Sequence, residues 1–268
     1  MHYISSFDSC RIAVRQDGID GAPAVLFSHY FGGDTSIWES QVEVLARRFR
    51  VVRFDTRGQG VSDAPEGPYS VRMLGCDALA VMDALGLDTA AFVGLSQGAM
   101  SGLWLAVHHP KRISRLVVAN STPYIPNKPV FDQYIQSART TTDVATIVEP
   151  MILGWLTDGF KTREPAKARA AVETAARMSP TGFAGNCAVL RDVDLRADLT
   201  SIRSPTLVIA GAEDGPRGAA SQMMADKIPG ATLLTIAGAA HLTQLENPEA
   251  FNRALTSFLS EHDGASGQ

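Results

Sequence analysis

The chain has few of the features that mark membrane, secreted or nucleic-acid-binding proteins. Its 268 residues include 28 acidic and 24 basic side chains, and no lysine- and arginine-rich run occurs, so we expect no nucleic-acid partner. No stretch approaches about 18 consecutive apolar residues, so no membrane span is expected. The first residues, MHYISSFDSCR, lack the basic-then-apolar pattern of a signal peptide. Only three cysteines occur, Cys10, Cys76 and Cys187, without a C-x-x-C spacing, which favours free thiols and a cytoplasmic location.

Sequence signatures of cofactor and metal sites are also missing. The chain has no H-E-x-x-H, no P-loop and no G-x-G-x-x-G after its first strand. We therefore expect no cofactor and no metal, so the chemistry should rest on side chains and main-chain groups. The sequence leaves open whether the protein is a monomer or a homodimer.

Short apolar, β-favouring runs alternate with helical patterns along most of the chain. Several of these runs are continuously apolar, which is typical of parallel strands buried on both faces. The predicted strands are residues 11–16, 24–27, 51–54, 91–93, 116–119, 206–209 and 232–236. Helices are predicted at 73–85, 99–108 and 248–259. This alternation predicts an α/β protein with a mostly parallel sheet.

Residues 124–192 break the alternation, because they contain no convincing strand. They read instead as four helical pieces, at 131–140, 144–156, 165–178 and 181–193. We interpret the segment as a helical cap inserted over an active site, since insertions at the carboxyl edge of a parallel sheet lie where ligands bind. The alternative is a helical layer that only extends the core. The expected organisation is a core of 1–123 and 193–262, a cap of 124–192, and a frayed tail of 263–268.

A candidate nucleophile lies in the stretch FVGLSQGAM, residues 92–100. Ser96 stands in G-x-S-x-G between a predicted strand and a predicted helix. Such a sharp strand-to-helix turn exposes the serine hydroxyl, and Gly94 and Gly98 avoid clashes in it. The pattern therefore indicates an activated serine rather than an ordinary turn residue.

A serine nucleophile needs a base and an acid that orients the base. Among six histidines, His241 follows the last predicted strand in a loop of small residues, so it is the expected base. The expected acid is Asp214, which follows an earlier strand and gives the chain order Ser, Asp, His. Glu213 is the adjacent competitor, and Asn120, at another strand end, carries no charge.

Main-chain N–H groups should bind the negative charge that develops on the substrate oxygen. The N–H of Gln97, at the start of the helix after Ser96, is one expected donor. The second should come from the loop SHYFGGD after the strand at 24–27, where Phe31 is the best placed.

Four stretches resemble the 3-oxoadipate enol-lactonases within the α/β-hydrolase superfamily: RFDTRGQGVSDAPEGPYSVRMLG, GLSQGAMSGLWLA, DVDLRADLTSIRSPTLVIAGAED and GAAHLTQLENPEAF. The resemblance covers about residues 12–259 and implies an α/β-hydrolase fold with Ser96, Asp214 and His241 as nucleophile, acid and base. The chain departs from the family's pattern at several positions, namely His29 and Tyr30 in the oxyanion loop, Gln97 and Ala99 after the nucleophile, and Gly154, Trp155 and Leu156 in the cap. These departures bear on the substrate more than on the chemistry.

The expected function is that of a serine hydrolase acting on a small carboxylic ester or lactone. Candidate pocket side chains are His29, Tyr30, Tyr124, Trp155, Phe160, Met178 and Phe183, and the arginines that could face the pocket are Arg72, Arg139, Arg191 and Arg217. Three alternatives stay open: a C–C bond hydrolase on the same triad, a cofactor-free oxygenase, and a ligand receptor with slow turnover.

Overall fold

A computed structural model describes residues 1–215 and 217–260, and its centre is one eight-stranded sheet. The strands are β1 (His2–Ser5), β2 (Arg11–Gly18), β3 (Ala24–Ser28), β4 (Arg50–Phe54), β5 (Ala90–Leu95), β6 (Ile113–Ala119), β7 (Thr206–Gly211) and β8 (Thr232–Ile236). They lie in the order β1-β2-β4-β3-β5-β6-β7-β8. The β1–β2 and β2–β4 pairs are antiparallel, and every other pair is parallel.

The central strands are buried because helices cover both faces of the sheet. Every residue of β3, β5 and β7 is buried, as expected for apolar runs inside a parallel sheet. The core helices are α1 (Glu39–Leu45), α2 (Val71–Ala84), α3 (Gln97–His108), α9 (Arg217–Lys227), α10 (Thr243–Glu246) and α11 (Pro248–Ser260). Helix α11 shows the usual pattern, since Phe251, Leu255 and Phe258 recur at helical spacing on its buried side.

Five further helices follow one another between β6 and β7. They are α4 (Lys128–Ala138), α5 (Ala145–Leu153), α6 (Asp158–Arg163), α7 (Pro165–Ala176) and α8 (Pro180–Asp192). Helix α4 packs on α8 and α5 packs on α7, and a single bridge between Tyr124 and Asp194 joins the two ends of the segment. We call residues 124–192 the helical segment.

The predicted α/β class with a mostly parallel sheet is confirmed, and all predicted strands are present, most of them longer at one or both ends. The sequence did not reveal β1, which has only four residues, three of them exposed. It also missed α1, α6, α9 and α10, of which α1, α6 and α10 have seven residues or fewer. The expected tail, 263–268, lies outside the described residues, as do residues 261 and 262 of the C-terminal core part. Within 1–215 and 217–260, no helix is long and apolar enough to cross a membrane.

Candidate active site

The turn from β5 into α3 holds Ser96 in a strained conformation. Its φ of 55° and ψ of −116° lie outside the regions that side-chain-bearing residues usually adopt. The two flanking glycines are required by close approach of the backbone. A Cβ at Gly94 would lie 2.4 Å from the Ala99 Cα, and a Cβ at Gly98 would lie 2.2 Å from the Ser28 carbonyl oxygen.

Ser96, His241 and Asp214 form a continuous chain of hydrogen bonds. The Nε2 of His241 lies 2.9 Å from the Ser96 Oγ, and its Nδ1 lies 2.9 Å and 3.1 Å from the two carboxylate oxygens of Asp214. A carboxylate only accepts hydrogen bonds, so the Nδ1 carries the proton and Nε2 is left to accept the hydroxyl proton of Ser96. This arrangement can deprotonate the serine.

Two further side chains bind the Asp214 carboxylate. The Nδ2 of Asn120 donates to Oδ2 at 3.1 Å, and the Nη1 of Arg217 donates to Oδ1 at 3.0 Å. Burial raises the pKa of Asp214, but the hydrogen bonds from His241 and Asn120 and the charge of Arg217 hold that pKa below its usual value. The carboxylate therefore stays ionised, and Asn120, which the sequence offered only as an uncharged alternative, is part of its support.

The His241 ring is buried and fixed on several sides. Its centroid lies 5.1 Å from that of Trp155, and its main-chain N–H donates to the Trp155 carbonyl. Burial lowers the pKa of the imidazole below its usual value, and the charge of Arg217 lowers it further. The Asp214 carboxylate and the charge of Glu246 raise this pKa, but their effect is smaller than that of burial. The ring is consequently neutral at pH 7 and able to accept a proton.

The loop after β3 orients the main-chain N–H of Phe31. The carbonyl oxygen of Tyr30 accepts hydrogen bonds from the Gly33 N–H at 2.9 Å and from the His29 Nδ1 at 2.8 Å. The proton must be on that nitrogen of His29, because its Nε2 accepts from the Thr56 N–H at 3.0 Å. In a trans peptide the N–H points opposite to the carbonyl, so the Phe31 N–H is turned away from these donors.

The N–H groups of Phe31 and Gln97 make no hydrogen bond within the part of the chain that the structure describes. Gln97 is the first residue of α3, where main-chain N–H groups have no partner inside the helix. Both groups are therefore available to an external acceptor.

A cavity of about 510 Å³ opens at Ser96 and His241. Core residues form its floor, and the helical segment and α9 form most of its walls. Its apolar or aromatic lining residues include Phe31, Met100, Ile125, Val130, Phe131, Tyr134, Met151, Trp155, Leu190 and Met223. Polar groups are fewer: besides Ser96 and His241 they include Asn120, Thr122, Tyr124, Arg196 and Arg217. The cavity suits a small, largely apolar molecule.

Of the seven side chains predicted to line the pocket, Tyr124 and Trp155 do so, and five require correction. His29 is held by its hydrogen bonds to the main chain, and Tyr30 packs edge-on against Trp155, with ring centroids 6.1 Å apart. Phe183 lies behind Phe31 and Tyr134, with ring centroids 5.4 Å and 6.2 Å away. Phe160 and Met178 are buried in the hydrophobic core.

Among the four candidate arginines, Arg217 lines the cavity, whereas Arg139 and Arg191 line a separate cavity beside α4 and α8. Arg72 lines neither of these two cavities. The sequence missed Arg196, which lies over the Tyr124 ring at 3.7 Å and is paired with Asp194 at 2.6 Å. The sequence did contain a signal for Arg196, because the residue ends DVDLR, which opens one of the stretches that resemble the enol-lactonases. In the described residues, no cluster of three or more histidine, cysteine or acidic side chains could hold a metal ion.

Comparisons with known proteins agree with this architecture. Residues 23–248 match the model of the alpha/beta hydrolase fold family. The chain is 34% identical over 238 residues to 3-oxoadipate enol-lactonase 2 of Acinetobacter baylyi, with 88% of both chains covered. It is 35% identical to a protein of Caulobacter sp. (strain K31) named as a proposed carbamate hydrolase, covering 90% of this chain and 94% of that one. The crystal structure of the enol-lactonase from Burkholderia xenovorans LB400 superposes with a TM-score of 0.91 at 33% identity, covering 97% of this chain and all of the other. The chain therefore belongs to the α/β-hydrolase fold family, and it is a hydrolase.

Proposed function

We propose that this protein hydrolyses small carboxylic esters or lactones through a covalent acyl-enzyme on Ser96. The observation that carries the proposal is the hydrogen-bonded chain of Ser96, His241 and Asp214, whose serine end opens into the cavity. The names of the enol-lactonase relatives support a lactone in particular. The two free main-chain N–H groups of Phe31 and Gln97 further support an acyl-transfer mechanism.

In the first half of the reaction, the Ser96 Oγ attacks the carbonyl carbon while its proton passes to the His241 Nε2. Asp214 accepts from Nδ1–H and stabilises the imidazolium that forms. The Phe31 and Gln97 N–H groups bind the developing oxyanion, and each such donor is typically worth about 3–4 kcal/mol. Nε2 then gives the proton to the leaving oxygen, and the acyl group remains on Ser96.

In the second half, water attacks the acyl-enzyme with His241 again acting as base, which releases the acid and restores the serine hydroxyl. When the substrate is a lactone, the leaving oxygen stays attached to the product, so one ring-opened hydroxy acid is released. With an enol-lactone the released enol becomes a ketone, which makes ring opening strongly favourable.

A substrate panel tests the bond that is cleaved. We expect turnover of p-nitrophenyl acetate and of five- and six-membered lactones, since these molecules fit a cavity of this volume. Phenyl carbamate tests the activity suggested by the Caulobacter relative, and a β-diketone tests C–C bond hydrolysis. Turnover of the carbamate or diketone with none of the esters or lactones would contradict the proposal.

The pH dependence tests the electrostatics around His241. Because burial lowers its pKa, the acid limb of kcat/KM should lie below pH 6.5, the ordinary value for histidine. Arg217→Met removes a cation that disfavours the imidazolium, so the pKa of His241 should rise and the acid limb should move to higher pH. Asp214 and Glu246 act in the opposite direction and are left in place by this substitution.

The matched control is Arg253→Met, since Arg253 is exposed and pairs with Glu249 on α11, away from the cavity. It should leave the pH profile of kcat/KM unchanged. An acid limb that stays in place or moves to lower pH in Arg217→Met would contradict the assignment of Arg217 as a cation that lowers the pKa of His241.

A further inference from the structure

We infer that helix α8 supports the oxyanion site, and that Gln59, Gln97 and Asn186 are positioning residues for its two main-chain donors. The inference rests on the proposed function, since it concerns how the N–H groups of Phe31 and Gln97 are held. These three amides connect the turn at Ser96, the loop at Phe31 and the helical segment.

The Gln97 side chain is bound at both ends. Its Oε1 accepts from the Gln59 Nε2 at 2.9 Å, and its Nε2 donates to the main-chain carbonyl of Asn186 at 3.2 Å. Only 1% of Gln97 is exposed, so these bonds are shielded from water. The first residue of α3, whose N–H faces no internal partner, is thereby tied directly to α8.

The Phe31 loop is held by the same network and the same helix. The Gln59 Oε1 accepts the Gly32 N–H at 2.5 Å, which fixes the peptide that follows Phe31. This bond also occupies the Gly32 N–H, so Phe31 is left as the free donor of the pair. The ring of Phe31 packs against Phe183 of α8, with centroids 5.4 Å apart.

Asn186 fixes α8 against the core. Its Oδ1 accepts from the Gln59 Nε2 at 3.1 Å, and its Nδ2 donates to the carbonyls of Arg57 and Gly182, each at 2.9 Å. The helix also meets the core backbone to backbone, because a Cβ at Gly182 would lie 2.1 Å from the Gly58 oxygen. There is no room here for a side chain, so the contact is close and rigid.

Every side-chain nitrogen and oxygen of the three amides has a hydrogen-bond partner. A buried network in which every amide nitrogen and oxygen has a partner favours one arrangement, because displacement leaves a polar group unpaired. An oxyanion donor acts only when it lies about 2.7–3.1 Å from the oxyanion, so small displacements matter. This is why we assign the network to positioning rather than to packing alone.

The test compares Gln59→Met and Asn186→Ala with the wild type, using p-nitrophenyl acetate as substrate. Each substitution should lower kcat by about 10-fold to 100-fold, less than complete loss of one donor, with KM changed by less than about 3-fold. The affinity for 1,1,1-trifluoroacetone, which forms a hemiketal with an activated serine, should fall by the same factor as kcat/KM. The double variant should lose less than the product of the two single losses, because both residues belong to one network.

The control is Gln41→Met, which removes a buried amide hydrogen bond far from the cavity, from Gln41 Nε2 to Asn252 Oδ1 at 2.7 Å. It should lower the melting temperature and leave kcat unchanged. Unchanged kcat and unchanged trifluoroacetone affinity in Gln59→Met and Asn186→Ala would overturn the inference, as would a loss seen only in KM or only in melting temperature. Failure of the proposed function is recognised separately, because the wild type would then neither turn over the ester nor bind the ketone.

Discussion

Ser96→Ala is expected to lower kcat for an ester or lactone by about 10⁵-fold to 10⁶-fold, the size of effect seen when a serine nucleophile is removed. A residual rate of about 10³-fold to 10⁴-fold over water should remain, because the oxyanion donors and the cavity are untouched. Stopped-flow and steady-state kinetics on the same preparation measure both quantities. The substitution removes only the Oγ that lies 2.9 Å from His241, so the fold should be retained.

The control for this variant is Ser101→Ala on the same helix. Ser101 is buried and its Oγ donates to the Gly98 carbonyl at 2.7 Å, but it does not line the cavity. The kcat of this variant should remain within about 3-fold of the wild type, because the substitution removes no contact with the transition state. A Ser96→Ala variant that retains wild-type kcat would remove the nucleophile from the proposed mechanism.

His241→Gln is the second substitution expected to have a very large effect, lowering kcat by about 10⁵-fold to 10⁶-fold. The amide can reach toward Ser96 or Asp214 but cannot take up the hydroxyl proton. The remaining activity should also lose the acid limb that belongs to the imidazole. Because the two residues act as a unit, Ser96→Ala combined with His241→Gln should be no slower than either single variant.

His108→Gln is the matched histidine control. His108 lies at the end of α3, where its Nδ1 contacts the Trp104 carbonyl at 2.9 Å and its ring stacks on Trp104. The kcat and the pH profile of His108→Gln should match those of the wild type. Additive losses in the Ser96 and His241 double variant would indicate two independent contributions instead of proton transfer between them.

The three residues that we propose to react could be identified from sequence, because each follows a predicted strand and their order in the chain matches a known pattern. The choice of Asp214 over Glu213 agrees with the fold, since the Asp214 carboxylate meets His241, whereas Glu213 is exposed. Asn120 could have been recognised as well. It directly follows the parallel strand β6 at the same edge of the sheet, where a neutral amide can support a neighbouring carboxylate.

The cavity walls could not be predicted in the same way. Tyr134 lies on α4 and Phe183 on α8, and only the packing of these two helices on each other decides that Tyr134 reaches the cavity and Phe183 does not. That Arg196 and Arg217 line the cavity likewise depends on the packing of the helices, although each pairs with a carboxylate that lies close to it in the chain. Hydrophobic periodicity identifies a buried face and does not distinguish core from pocket.

The hydrogen-bonded network of buried amides could not be predicted from the sequence. The sequence showed that Gln97 departs from the enol-lactonase pattern, but it did not indicate which residues the Gln97 side chain contacts. Gln59 and Asn186 are separated from Gln97 by 38 and 89 residues in the chain, and the docking of α8 on the core brings Asn186 to the two glutamines. Long-range polar networks of this kind have no periodic signature.

Labelling by a fluorophosphonate, followed by peptide mass mapping, tests the central claim most directly. An activated serine reacts with this reagent, whereas an ordinary turn serine does not. The expected result is one adduct per chain on Ser96, complete loss of turnover, and no adduct in Ser96→Ala. An adduct on a different residue, or full turnover by a protein labelled at Ser96, would contradict the account.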